Sequence, residues 1–569
     1  MTTPRPWLDH YDAPVPHTLT PYPDDTLPDM LAEAARTHPD AVALLFKRTR
    51  ITYTELDRAS SVFAGALTAL GVKPGDRVAL CLPNCPQFMI AEYGAWKAGA
   101  IVCPFNPTYT ERETADALTT TGAETVVVLN RFYSKIKSVQ RETSVRRVIT
   151  TNIKEYFPPL LKLAFTLLVE RKQGDRITLR DGDLRFDELL HRHAGAPLPA
   201  MRIDPGSHAT ILLSGGTTGT PKGVLGSHRN MTISGRQLAA WLSPIMREWT
   251  DTVMLPLPLF HTYANTGLQG LAMVNHNPIA LIANPRDIKD LLKEIGQVRP
   301  AFICTVPTLL TGIMNHPLAR AGKVDFTSIR VCFSGAAALM AETKRRFEEM
   351  TGGVIIEGYS LTEAQMAVVA NPALGERKVG SVGMPLPDVE IRIMESELGV
   401  TEMPTGEVGE IVFNAPQVME SYWPRAADTA EMIRKNAAGE RLLYTGDLGY
   451  LDGDGYLFIV DRKKDLIKTS GFQVWPREIE EVLASHAAVA EVGVAGLPHP
   501  VKGETVKAWV VLRPGMSATA AELKAWCREK LAPYKVPVEY QFVADLPKSQ
   551  VGKVLRRMLR EQSTPEAGH

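Results

Sequence analysis

Net charge, paired cysteines and long apolar runs are all missing from this chain. Its 569 residues carry 63 Lys+Arg and 63 Asp+Glu, a formal charge of zero. Nothing therefore pulls the molecule as a whole toward nucleic acid or an anionic membrane. The six cysteines (Cys81, Cys85, Cys103, Cys304, Cys332 and Cys527) are scattered. They form no C-x-x-C pair and have no histidine at a spacing that suggests zinc, so reduced, mostly buried thiols are expected. No run approaches the roughly 20 apolar residues of a spanning helix, and Met1 to Pro16 lacks the basic stretch and apolar core of a signal peptide. These absences lead to the expectation of a cytoplasmic protein. The composition, 45% hydrophobic and 22% charged, is that of an ordinary folded chain. Its length exceeds what one core supports and predicts two or more domains.

The most informative segment present is Ser214-Gly215-Gly216-Thr217-Thr218-Gly219-Thr220-Pro221-Lys222-Gly223, which follows the strand-like Ala209–Leu213. Glycines let backbone N–H groups close on an anion, threonine hydroxyls add donors and lysine adds charge, so the segment reads as a polyphosphate loop. Pro221 stands where a Walker A loop needs its second glycine, and no G-x-G-x-x-G is present. The competing reading is a mobile Gly/Thr surface loop. Short apolar strands at Val78–Cys81, Thr125–Leu129, Phe302–Val306 and Arg330–Phe333 alternate with amphipathic stretches such as Gln87–Ala98. That alternation predicts an α/β architecture with largely parallel sheets. Ligands of such sheets sit beyond the strand carboxyl ends, where Ser334–Ala337 and Glu357–Ser360 supply further glycine loops. The final hundred residues read as a small α+β unit, with helices at 477–483 and 520–531 and apolar segments at 489–494 and 505–512. The charged run Asp461–Asp465 precedes it. Phe157, Leu160, Leu161, Ala164, Phe165 and Leu168 fall on one face of a helix. Packing into the core is the expected destination of that face, with an interfacial anchor as the alternative.

Further along, Tyr359-Ser360-Leu361-Thr362-Glu363 offers a ring for a base and a carboxylate for Mg²⁺ between phosphates. Tyr444-Thr445-Gly446-Asp447 offers a carboxylate suited to ribose hydroxyls, and Lys553 lies in a basic C-terminal cluster. Each is weak alone. In this order, together with Pro256–His261, Asp461–Lys468 and Gly471–Glu480, they resemble the adenylate-forming superfamily of acyl-CoA synthetases, luciferases and adenylation domains over about 26–559. The likeness is strongest to bacterial fatty-acid–CoA ligases.

The resemblance implies a large α/β domain, residues 1–462, of mostly parallel sheets flanked by helices with a β-barrel-like subdomain. A small mobile α+β domain, 463–569, would follow. Ser214, Gly215, Gly216, Thr217, Thr218, Gly219 and Lys222 would form the phosphate loop, with Thr217 and Thr218 on the phosphates and Thr218 counted as catalytic. Gly335, Ala336 and Tyr359 would line the adenine, Gly358 and Thr362 beside Tyr359 would also bind the nucleotide, and Asp447 and Arg462 would hold the ribose. Glu363 would coordinate Mg²⁺ and His261 would flank the acyl pocket. Lys464 would be the hinge, Gly471 would open the pantetheine tunnel, and Lys553 would serve adenylation. One departure stands in the loop: Leu213-Ser214-Gly215-Gly216 replaces the commoner Thr-Ser-Gly-Thr opening. The implied reaction joins a medium- or long-chain fatty acid to coenzyme A through acyl-AMP, with ATP, Mg²⁺ and CoA and no nucleic acid. An acyl-AMP ligase loading a carrier protein, an aryl-acid CoA ligase, a luciferase-like oxygenase and an inactive homologue are the alternatives. Peripheral contact with the inner membrane face through 157–169 and a homodimer complete the expectation.

Overall fold

Runs of three to six apolar residues bounded by glycine, proline or charge are too short for helices and too apolar for a wet surface, so they pair as buried parallel strands. The computed structural model describes residues 5–195, 202–214, 221–337, 339–366, 368–469, 472–499, 501–548 and 554–561. In an eight-stranded sheet, Ile101–Pro104, Arg77–Cys81, Thr125–Leu129 and Arg147–Thr151 run parallel. Toward its other end lie His208–Ser214 and Lys222–Ser227, antiparallel with Ser214 opposite Lys222, and Ser421–Trp423 forms the edge. The glycine-rich segment therefore joins the two strands of a hairpin, a return that the forward strand alone does not reveal. The nine-stranded sheet carries Val253–Leu255, Phe302–Thr305, Val331–Ser334 and Val354–Tyr359 in parallel. One continuous core of buried side chains includes residues of both sheets, such as Leu80, Val102, Met254 and Phe302.

The helix His228–Leu242 starts at a reciprocal cap, Asn230 N–H to Ser227 Oγ and Ser227 N–H to Asn230 Oδ1. It crosses the helix Gly270–Val274 so closely that a Cβ on Gly235 would lie 2.7 Å from the Gly270 backbone. That crossing brings the segment after His261 against the main core. The subdomain expected to resemble a barrel is a five-stranded antiparallel sheet of Glu390–Met394, Gly409–Asn414, Arg441–Leu451, Ile433–Lys435 and Leu457–Arg462. Beyond it, Ile467–Thr469, Gly503–Leu512, Val489–His499 and Glu539–Phe542 pack with the helices Pro476–Ala484 and Ala520–Lys530. This part has its own core, including Ile467, Ile479, Leu483, Val494, Val506 and Leu523. All six cysteines are buried and unpaired.

The amphipathic segment corrects one expectation. Pro159–Leu168 is a helix, but of its apolar residues only Phe165 is buried. Phe165 packs edge-on against Phe157, and Phe157 stacks on Phe46. One ring thus fastens the helix to the outside of the sheet, and its leucines face away from the core. No helix among the described residues is long and apolar enough to cross a membrane.

Candidate active site

The strand Val354–Tyr359 delivers Tyr359 at its carboxyl end. Gly358 permits this: a Cβ there would lie 2.7 Å from the Phe333 ring. The Tyr359 hydroxyl donates to Asp447 Oδ2 at 2.5 Å. Burial, reinforced by Asp447, holds that phenol far above its usual pKa, so it stays a donor. Asp447 and Arg462 are opposite one another in the antiparallel sheet, and Arg462 Nε lies 3.1 Å from Asp447 Oδ1. The Tyr359, Asp447 and Arg462 assigned by motif are thus one connected group. Gly335 and Ala336 follow the neighbouring strand Val331–Ser334, Ala336 with a left-handed φ of +67°. A Cβ on Gly335 would meet the Tyr263 ring at 3.4 Å.

Glu363 lies in the short turn Thr362–Ala364 and is 8% exposed. Thr362 shapes that turn by accepting the Gln365 N–H. The Tyr422 hydroxyl donates to Glu363 Oε1 at 2.7 Å, and no lysine or arginine pairs with this carboxylate among the described residues. Tyr422 comes from Ser421–Trp423, antiparallel to the strand that begins with Lys222. Lys222 Nζ stands 4.9 Å from the centre of the Tyr422 ring and 3.4 Å from Asp428 Oδ2. Ser214 Oγ donates weakly to the Lys222 carbonyl at 3.4 Å. Lys464, in the turn Lys463–Asp465, has its pKa lowered by desolvation and Arg462, opposed by Asp465, Asp447 and Glu363. Its ammonium therefore senses the Asp447 and Glu363 carboxylates as well as that of its neighbour Asp465.

His261 accepts the Tyr263 N–H at Nδ1, 3.3 Å, and desolvation pushes its pKa down to about 4, leaving a neutral ring. Tyr263 in turn donates to the Phe333 carbonyl at 2.9 Å, which ties His261 to the Gly335 wall. After it the chain forms a π-helix, Tyr263–Gln269, whose Asn265 and Gln269 donate to the buried carboxyl of Glu92 at 2.7 and 2.8 Å. Single π turns of this kind often mark functional ground. Gly215, Gly216, Thr217, Thr218, Gly219, Gly471 and Lys553 lie outside the described residues.

Tyr422, Asp428 and Glu92 escape motif reading. Residue 422 meets 363 through a side-chain contact across 59 residues of sequence, and Glu92 lies in the helix Pro86–Lys97, buried from 86 to 96, where nothing local distinguishes it. Arg556 escapes it too: its guanidinium binds Asp461 at 2.9 Å, Asp465 at 3.2 Å and Glu480 at 2.7 Å. Glu363 suits a hard cation, being a buried carboxylate with one neutral donor and no cationic side chain on it. No cluster of three His, Cys, Asp or Glu exists among the described residues. A Mg²⁺ held there would draw its other oxygens from water and phosphates, as that ion prefers.

The strand ends, glycine walls and paired carboxylate make this an α/β enzyme with a polar site beyond the carboxyl ends of parallel strands, where ligands of such sheets sit. A family model for AMP-binding enzymes matches residues 31–423, and one for the AMP-binding enzyme C-terminal domain matches 478–553. The chain belongs to the AMP-binding enzyme family. It is 37% identical over 566 residues to a long-chain-fatty-acid–CoA ligase of Bacillus subtilis, covering 99% of both chains. It is 35% identical over 560 residues to the enzyme of that name in Escherichia coli O6:H1, covering 98% of each. ATP-bound MatB of Rhodopseudomonas palustris is similar in structure, with a TM-score of 0.79 and 28% identity over 94% of this chain and 98% of that one.

Proposed function

We propose that this protein activates a medium- or long-chain fatty acid with ATP, forming acyl-AMP and pyrophosphate, and transfers the acyl group to coenzyme A with release of AMP. The observation that carries the reading is the joined Tyr359–Asp447–Arg462 group beside Glu363, in a chain similar end to end to fatty-acid–CoA ligases. A carboxylate is a poor acyl donor because oxide leaves badly. Its attack on the α-phosphate expels pyrophosphate and converts it to a mixed anhydride with a good leaving group. Two anions must meet, so positioning and electrostatic stabilisation dominate. Tyr359, with Gly335, Ala336 and Gly358, would hold the base, and Asp447 and Arg462 the ribose. Lys222 with the 214–219 segment, in which Thr217 and Thr218 supply hydroxyls, would hold the phosphates. Mg²⁺ on Glu363 would neutralise phosphate charge. His261, neutral, would flank the acyl chain.

The second step brings a CoA thiolate to the acyl carbonyl, and AMP leaves. Lys553 would serve the first step and the stretch from Gly471 the second, with rotation at Lys464 exchanging them. A division at 462/463 agrees with the separate core beyond residue 467. Arg556 supports a hinge with a latch. It ties Asp461, on the last strand of the large part, to Glu480 on a helix beyond the hinge, so rotation must break that contact. The reading includes membrane contact through 157–169, supported by the outward leucines. It also includes a homodimer, which sedimentation velocity tests.

The test is a thioester assay with ATP–pyrophosphate exchange alongside, across short, medium, long-chain and aromatic acids. Turnover with medium- or long-chain acids is expected, and preference for aromatic acids would overturn the acid assignment. Lys553→Ala should slow adenylation by about 3–4 kcal/mol of barrier while thioester formation from supplied acyl-AMP survives better. Lys464→Pro should show the reverse bias.

A further inference from the structure

Exposed large apolar side chains are mostly scattered singly over this protein, but Leu160, Leu161, Leu163, Leu167 and Leu168 crowd one ten-residue helix. Leu160 is 84% and Leu167 72% exposed. The helix is held firmly in this pose. Phe165 joins the main core, and Lys154, outside the helix, donates to Thr166 Oγ1 at 3.0 Å. A contiguous apolar face on a fixed helix marks a binding surface, and the charges around it select the occupant. Lys162 on the helix and Arg171 and Lys172 just after it make no ion pair among the described residues. The nearby acid Glu170 is already neutralised by Lys154 at 2.7 Å. What faces outward is therefore leucine and positive charge.

We propose that this helix docks on the surface of an anionic phospholipid bilayer, lying in the interface with its leucines among the acyl chains and Lys162, Arg171 and Lys172 near the headgroup phosphates. The proposal rests on the membrane contact read above for 157–169 and adds the lipid chemistry. Ten residues rise about 15 Å, half a hydrocarbon core, so the helix can lie in the interface and cannot span it. Protein interfaces are anchored by Trp, Tyr and Arg rather than by a bare leucine arc. A second copy packed through the same face across a two-fold axis would bring the three cations toward their own equivalents. An anionic lipid surface satisfies the apolar face and the charges together. It is also where a long-chain acid partitions, so docking would set the enzyme beside its acid.

The experiment is flotation of the full chain with vesicles of phosphatidylcholine alone or with about one third phosphatidylglycerol, at low and high salt. With roughly 1 kcal/mol per cation near an anionic surface, binding should rise about 10- to 100-fold with phosphatidylglycerol and fall with salt. Leu163→Glu with Leu167→Glu should abolish flotation while exchange with a water-soluble acid and the melting temperature stay unchanged. Lys162→Glu with Arg171→Glu and Lys172→Glu should reduce binding to the phosphatidylcholine level. Equal binding to both vesicles would overturn the anionic assignment and leave the membrane contact standing. Flotation with neither would overturn both. A dimer that the leucine double variant dissociates would reassign the face to a second copy.

Discussion

Two regions of this molecule bury carboxylates in opposite ways. In the proposed nucleotide region Asp447 faces a guanidinium, Arg462 at 3.1 Å, and a phenol, Tyr359. Along the π-helix Glu92 faces two neutral amides, Asn265 and Gln269, and nothing charged. Burial pushes the Glu92 carboxyl up to about 7. Glu363 stands between them, with a single phenol donor from Tyr422. The difference teaches what each site asks of its charge. A cation built in fixes an anion permanently, neutral donors leave its ionisation open, and one neutral donor leaves an anion with capacity for a metal.

Removing the Glu363 charge should have the largest effect. Glu363→Gln keeps the shape and removes the proposed metal ligand, and adenylation should fall about 10²- to 10³-fold, read as ATP–pyrophosphate exchange against Mg²⁺ concentration. An unchanged Mg²⁺ dependence would remove the metal assignment. Arg462→Ala converts Asp447 to the condition of Glu363. The lost charge-assisted contact is worth about 1.5–3 kcal/mol, toward the lower figure because Arg462 is one-third exposed. The expected readout is at least a tenfold rise in KM for ATP, and an unaltered KM would separate Arg462 from the ribose. Tyr422→Phe strips the one donor from Glu363 and should cost about 1 kcal/mol. It should appear as a higher half-saturating Mg²⁺ concentration with little change in the acid KM.

The sequence carried these regions unequally. The strands at 78–81, 125–129 and 302–305 were legible because continuous apolar runs of that length have few alternatives, and the Tyr359, Glu363, Asp447 and Arg462 positions were legible through motif order. Contacts set by sheet pairing were not. Asp447 meets Arg462 only once the antiparallel register is known, and Tyr422 meets Glu363 only once the strand 421–423 is placed beside 223–225 and the turn 362–364 is folded against it. Helical periodicity likewise reveals a face and not its destination. Ile288–Val298 buries Leu291, Leu292 and Ile295, whereas Pro159–Leu168 buries Phe165 alone. The difference lies in what packs above each helix, which local spacing does not encode. The π turn at 263–269 is invisible for the same reason, since its widened winding accompanies the burial of Asn265 and Gln269 beside Glu92.

Glu92 offers the smallest effect and the cleanest contrast with Asp447. Its folded pKa of about 7 lies above the ordinary carboxyl value of 4.5, so between those values the folded state holds a proton that the unfolded state has released. Stability contributed by this group is therefore present at low pH and lost as pH rises through 7. Between pH 6 and 8 the loss should be about 1 kcal/mol. Glu92→Gln removes the titration. The amide needs one neighbour to turn its oxygen inward, and Asn265 Oδ1 and Gln269 Oε1 are both buried without partners, so the turn sacrifices no hydrogen bond. The variant's melting temperature relative to wild type should rise between pH 6 and pH 8, by a few degrees at most for a chain of this size. A wild-type margin that instead grows with pH would mean that the carboxylate is ionised and stabilising, and that the π-helix seam handles charge as the Asp447 region does.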